Sequence, residues 1–275
     1  MIIKLPTNGI HFRPEEPTHI GLDIAVNRQK GLRCVIATQA GAIWEVTLKF
    51  RNEIRLLRAY PFVSIPYPQN GLTPEYLAET FILSNDQAQS LSFAFNGARC
   101  IAIDGPPNLP NEGRRISEVR WHNHIIPGIK DRAGGIYWTP PNAEVNAILN
   151  ALFDDAQALT TEQLTKLGQS LWIFVGFWIH LLFRRICKPT IEVYPDALRT
   201  VCRHIKQSNY GEELEADYRT WGGTTDFNTF ITTKSESNDA AIACFAAYLH
   251  TLEKTEEISP NEIVIPLHQG QPFNN

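Results

Sequence analysis

Residues Ala98–Pro107 constrain this chain most tightly. Cys100 to Ile103 is a short apolar run of strand type, and it delivers a single carboxylate, Asp104. Gly105-Pro106-Pro107 then stops the strand at once, because glycine frees the backbone and proline removes a ladder donor. A carboxylate at the end of a buried strand must be solvated, paired or bound to a cation. Strand ends are also where sites collect in α/β folds. The same residues fit a plainer reading, a turn in which Asp104 hydrogen-bonds the backbone beyond it.

The rest of the chain supplies neighbours for that strand. Residues 1–16 form an N-terminal arm rich in proline and polar side chains, and 17–275 are expected to form one domain. From Thr18 to Val26, Ile20, Leu22, Ile24 and Val26 alternate with Gly21, Asp23 and Ala25, which predicts a strand. Asp23 falls inside it, where aspartate is disfavoured and needs a reason. Leu32 to Thr38 and Ile43 to Phe50 follow across short turns, so the first three strands form an antiparallel meander. Thr73-Pro74-Glu75 opens a helix that runs to Phe95, with a break near Asn85-Asp86. After the Asp104 strand comes an irregular and helical insertion over about residues 105–189. It holds a short helix within 113–124, a helix over 142–159 and a long helix from Thr161 to Arg185. Thr190–Pro195 is the fifth strand, and Asp196–Lys206 returns to helix. The polar stretch 208–233 reads as loop. Ser237-Asn238-Asp239 reads as the cap of an alanine-rich helix over Ala240–Leu252, and Asn261–Pro266 as a short edge strand.

Composition narrows the function classes. The chain has 275 residues, 43% of them hydrophobic, and a net charge of -4, so no global attraction to nucleic acid or an anionic membrane is built in. Any nucleic-acid contact needs a local basic patch or bound cations. The densest basic run follows Asp104: Arg114, Arg115, Arg120, His122, His124, Lys130 and Arg132. Arginine there suits bidentate phosphate contact, although a solvated helix face has the same pattern. Trp121, Tyr137 and Trp138 offer stacking faces or core packing. The five cysteines are odd in number and widely spaced with no Cys-x-x-Cys, so neither a disulfide framework nor a zinc site is suggested, and reduced thiols in the cytoplasm fit. The apolar run Leu171–Phe183 is shorter than the roughly 18 residues of a spanning helix. It fits a buried helix or a contact for self-association.

Five segments occur in order: Gly21–Ala25, Ile101–Pro107, Gly113–Arg115, Ile191–Pro195 and Glu236–Ala240. Together they resemble the family called domain of unknown function 429, over roughly residues 18–255. The resemblance implies a ribonuclease H-like fold: a mixed five-stranded sheet, three antiparallel strands and then parallel ones, flanked by helices. The order of elements read above is the same. Members of that family are often described as predicted nucleases. In such a fold the first and fourth strands lie side by side and the last helix crosses them, so Asp23, Asp104 and Asp239 would converge. Glu236 shares the face of Asp239 if the helix begins early enough, and Glu192 is the expected fifth member.

Clustered carboxylates cannot all stay ionised without a cation, and all-oxygen ligands favour Mg²⁺ or Mn²⁺. Two such ions would suit phosphodiester hydrolysis of a nucleic acid. Asp23 is then expected to bridge them, Asp104 and Asp239 to hold one each, and Glu236 or Glu192 to position water or metal. Arg114, Arg115 and Arg120 are the expected phosphate contacts. Each acid also has a plainer role: Asp23 as a hydrogen-bonded core group, Asp239 as a helix cap, Glu192 as half of an ion pair. Two rival functions remain at this point. A catalytically silent binding or scaffold domain would keep the acids as structure. An actin-like phosphotransferase would need a glycine-rich turn after the first strand, and Asp23-Ile-Ala-Val-Asn-Arg lacks one.

Overall fold

The computed structural model describes residues 18–27, 31–39, 43–47, 71–80, 84–122 (apart from 109 and 111), 139 and 173–266 (apart from 174 and 178). The expected arm 1–16, the helix over 142–159 and most of the insertion's basic and aromatic run (His124, Lys130, Arg132, Tyr137, Trp138) lie outside them.

The chain folds as a mixed α/β structure. Strands β1 (Thr18–Asn27), β2 (Gly31–Thr38), β3 (Ile43–Thr47), β4 (Ala98–Asp104) and β5 (Thr190–Val193) form one sheet in the order β3-β2-β1-β4-β5. β1–β2 and β2–β3 are antiparallel, while β1–β4 and β4–β5 are parallel. β2, β1 and β4 are therefore the inner strands, with β1 at the centre.

Alternation along the strands sorts side chains onto two cores. One face carries Ile20, Leu22, Ile24, Ile36, Ile101 and Ile103. Against it pack α1 (Pro74–Thr80), α2 (Asn85–Asn96) and the apolar helix that runs through residues 179–185, with Phe95 and Phe183 in ring contact at 4.8 Å. Ser84 divides α1 from α2 by capping the second helix: it accepts from the Gln87 amide, and the Gln87 side chain returns to the Ser84 amide at 3.0 Å. The other face carries Val35, Ala37, Cys100, Ala102, Ile191 and Val193. Covering it are α4 (Pro195–Lys206), α5 (Gly211–Trp221), α6 (Phe227–Thr232) and α7 (Glu236–Thr251). The remaining helix, α3 (Ile116–His122), follows the turn after β4.

Two expectations are corrected here. Residues 208–233 are not a loop but carry α5 and α6. Leu214, Tyr218 and Trp221 recur at helical spacing, and the rings of Tyr218 and Trp221 join Phe227, Phe230 and Phe245 in an aromatic cluster centred on Tyr218 and Phe245. Polar residues on the outer face mask that stripe in the sequence. The last strand does not join the edge of the main sheet. β7 (Val264–Pro266) pairs antiparallel with β6 (Thr255–Glu257) in a separate two-stranded sheet. Among the described residues, no helix is long and apolar enough to cross a membrane.

The seating of α7 on β1 sets the geometry of the centre. A Cβ added at Gly21 would overlap the Ala240 carbonyl oxygen and the Cys244 amide nitrogen, so helix backbone touches strand backbone. Further along, the Cys244 thiol donates to the His19 carbonyl oxygen at 3.0 Å, and Thr251 Oγ1 meets His19 Nε2 at 2.8 Å. Successive contacts run backward along β1, so α7 is antiparallel to it. The helix N-terminus thus stands over the C-terminal ends of β1 and β4. A second close approach fixes the turn after β4, where a Cβ on Gly105 would come within 2.9 Å of the Gly176 Cα.

Neither backbone at Gly21 can yield to a side chain, so Gly21→Ala is expected to destabilise the fold by about 3 kcal/mol. The midpoint of urea unfolding reads this out, and a midpoint equal to that of the parent would contradict the close contact.

Candidate functional site

Asp23 and Asp104 are register partners on the parallel strands β1 and β4, so both side chains leave the sheet on the α7 face. Asp104 is the last residue of its strand and keeps partial exposure, while Asp23 is buried at 6%. They hydrogen-bond to each other. Burial pushes the Asp23 carboxyl up to about 7, the charge of Asp239 adds to this, and the bond from Asp104 opposes it. Burial also drives Asp104 well above the carboxylate range, reinforced by the charges of Asp23 and Asp239. The hydrogen bond between them requires a shared proton, so the two carboxyls titrate as a pair.

Asp239 arrives from the first turn of α7. Ser235 caps that helix, accepting from the Asn238 amide at 3.2 Å, and the helix starts at Glu236. The expected cap at residues 237–239 is thus corrected by one turn, and Asp239 is not needed as a cap. Glu236 lies one turn before Asp239, close enough for its charge to raise the Asp23 carboxyl further. Two negative residues in a first turn also suit the positive end of the helix dipole.

A cation is already present beside these acids. Arg199, on the inner side of α4 and only 2% exposed, donates from one terminal nitrogen to Asp239. Its other terminal nitrogen reaches Asp196 Oδ1 at 3.1 Å, and Asp196 also accepts from Lys234 Nζ at 3.1 Å. Burial raises the Asp239 carboxyl, and Arg199 pulls against it. The sequence reading missed Arg199. Its signal was the Asp196-x-x-Arg199 spacing in a helix that begins directly after a strand end.

Glu192 points away from the acids, although its charge still adds to the rise of the Asp104 carboxyl. Its register partner is Ile103, which faces the opposite core, so Glu192 leaves the sheet on the far side from Asp23 and Asp104. There it forms a two-pronged ion pair with Arg115, with Nη1 to Oε1 at 2.6 Å. Arg115 is 4% exposed and also has Glu118 at 3.6 Å and Glu262 at 3.7 Å. Burial works against the Arg115 charge, but Glu192 and the other two carboxylates outweigh it and hold it above its usual range. Burial lifts Glu192 to about 7 in spite of Arg115.

The expected roles of Glu192 in water or metal positioning and of Arg115 in phosphate contact are therefore corrected: each neutralises the other inside the protein. Arg120 donates from Nη1 to the Ile258 carbonyl at 2.8 Å, and Arg114 stays exposed before α3. Trp121 is core, packed with Ile191 and Val193 rather than offered for stacking.

The donor chemistry fits a hard divalent cation. Asp23, Asp104, Asp239 and Glu236 offer only carboxylate oxygens, and burial raises the first three. The present conformation satisfies that charge in another way, with a proton between Asp23 and Asp104 and with Arg199 on Asp239. Consistent with this, no group of three or more His, Cys, Asp or Glu among the described residues is arranged to hold a metal ion as it stands. Comparison of the chain with family models, curated proteins and solved structures found no match.

Two outcomes follow. Asp23 titrates at 3.8 unfolded and about 7 folded, so its stabilising contribution is complete below pH 3.8 and is lost as pH rises through about 7. In chelator-treated buffer, Asp23→Asn is expected to gain on the parent by a few kcal/mol between pH 4 and about 8. A stability difference independent of pH would contradict the raised carboxyl. Glu192→Gln strands the Arg115 charge and is expected to cost about 3 kcal/mol, while leaving Mn²⁺ affinity at the parent value in calorimetric titration. Loss of Mn²⁺ binding in a folded Glu192→Gln protein would return Glu192 to the site.

Proposed function

We propose that the chain is a divalent-cation-dependent phosphodiesterase of ribonuclease H-like fold, acting on a nucleic acid, and a relative of the domain of unknown function 429 family. One observation carries the reading. Two carboxylates are register partners at the C-terminal ends of adjacent parallel strands, and a third descends on them from the N-terminus of a helix. The strand order and the mixture of antiparallel and parallel pairs support the fold.

Mg²⁺ or Mn²⁺ held by Asp23, Asp104 and Asp239 would supply charge neutralisation, a more acidic water and stabilisation of the leaving oxygen. The chain's own residues prepare for this. The Asp23–Asp104 pair must release its shared proton, which turns both side chains into ligands. Asp239 must leave Arg199. Glu236, one turn away, is placed to orient a water or a ligand. The Gly105-Pro106-Pro107 turn ends the strand beside Asp104 and is itself buried against Gly176 and His180. Arg114 remains a candidate phosphate contact. Free cysteines, four of the five buried, suit a reducing cytoplasmic setting.

The Arg199–Asp239 pair favours a second reading, a ribonuclease H-like scaffold in which the acids are purely structural. Single-stranded, double-stranded and hybrid nucleic acids, each tested with Mg²⁺ or Mn²⁺, separate the two. The nuclease reading expects cleavage of at least one substrate that chelation abolishes, and a fall of at least about 10³-fold in Asp23→Asn and Asp104→Asn. No cleavage of any substrate by the folded parent would favour the scaffold.

A further inference from the structure

We propose that the polar recess at the start of β5 binds the phosphate group of a small-molecule monoester. The recess is separate from the carboxylates and independent of the nuclease reading. Thr190, on its wall, has Ile101 as register partner, three residues before Asp104, and its hydroxyl meets His180 on the face of the sheet away from the acids.

Two local devices build the recess. The helix through residues 179–185 ends in a Schellman turn: the Lys188 amide donates to the Phe183 carbonyl at 2.9 Å and the Cys187 amide to the Arg184 carbonyl at 3.1 Å. Cys187 takes the left-handed position of that turn, at φ 57°, where glycine is usual. One turn earlier, His180 ties the other walls to the same helix. The Gly105 carbonyl can only accept, so His180 Nε2 carries the proton and donates to it at 3.1 Å. Nδ1 then accepts from the Thr190 hydroxyl at 3.0 Å. The resulting space is about 510 Å³, lined by Asn108, Arg184, Cys187, Lys188, Thr190 and Asn261.

The lining selects an anion. It holds two cations and no carboxylate, in a chain of net charge -4. Among the described residues, no acid pairs with the Arg184 guanidinium. Lys188 Nζ donates to the Asn96 carbonyl and keeps two further N–H groups. A recess elsewhere on the surface shows the contrast: there Lys254 is matched by Glu213 at 2.9 Å and Asp217 at 2.7 Å. Two charges suit a dianion, and an arginine fork suits paired phosphate oxygens. Asn108 and Asn261 add amide donors. The volume exceeds that of a lone phosphate and falls in the range of small-molecule sites, roughly 300–1,000 Å³, so an attached group has room. The plainer role of Arg184 and Lys188 is to offset the negative ends of two helices. That role predicts an effect on stability and none on a ligand.

Cys187 reports on the recess, because it is exposed and the other four cysteines are buried. The full chain, in chelator at about 0.15 M salt, is titrated calorimetrically with inorganic phosphate and with 5′-AMP. Alkylation of Cys187 by iodoacetamide is timed with and without each. Saturable binding of 5′-AMP, competed by phosphate, is expected to slow the alkylation. Arg184→Gln is expected to weaken binding at least about tenfold and to abolish the protection. Lys254→Gln removes the same charge elsewhere and is expected to change neither. Arg184 is exposed, so its replacement keeps the fold, which thermal melting without ligand checks. Absence of binding by the parent, binding that leaves Cys187 unprotected, or equal weakening by both substitutions overturns the proposal. Tighter binding of an oligonucleotide without terminal phosphates also overturns it, by assigning the recess to diesters. Cation-dependent cleavage is read separately and is unaffected by any of these results.

Discussion

Everything at the centre of this molecule depends on how closely α7 can approach β1. The two backbones meet at Gly21, where Ala240 and Cys244 leave no space for a Cβ. The alanine-rich sequence of α7 is the complementary half of that contact, since small side chains let the helix settle on the strands. Hydrogen bonds from Cys244 and Thr251 back to His19 then fix its direction. Once the helix runs antiparallel to β1, its first turn has to stand above the strand ends. Asp239 and Glu236 reach Asp23 and Asp104 for that reason alone.

Close approach creates an electrostatic problem, and the protein meets it in two ways. On the far face of the sheet, Arg115 faces Glu192, Glu118 and Glu262, a buried cluster joined by a two-pronged pair and closed by Thr139, whose amide donates to Glu118 at 3.2 Å. That arrangement ties α3 to the edge strand and leaves no role for a ligand. Around Asp23, a shared proton and the ion pair of Arg199 with Asp239 offset charge that burial would otherwise make costly.

The strands and their inward faces were legible in the sequence because alternation of apolar residues survives any tertiary context. So was the abrupt end at Asp104, since Gly105-Pro106-Pro107 permits no other reading. Convergence of Asp23, Asp104 and Asp239 needed the order of strands, which the resemblance supplied and periodicity did not. Glu192 was misjudged because adjacency along a strand end says nothing about the face; its register with Ile103 decides that. Arg115 was misjudged because a run of basic residues looks alike whether it is solvated or wrapped by distant acids such as Glu262, far along the chain. Helices α5 and α6 were hidden by polar outer faces, and Arg199 by having partners on two different helices.

The most direct measurement is the anomalous diffraction of Mn²⁺-soaked crystals. The expected result is density for at least one ion bound by Asp23 and Asp104, with Asp239 turned from Arg199 toward it. A map with no ion at these carboxylates at saturating Mn²⁺, and with the Arg199–Asp239 pair intact, would contradict their assignment as a cation site.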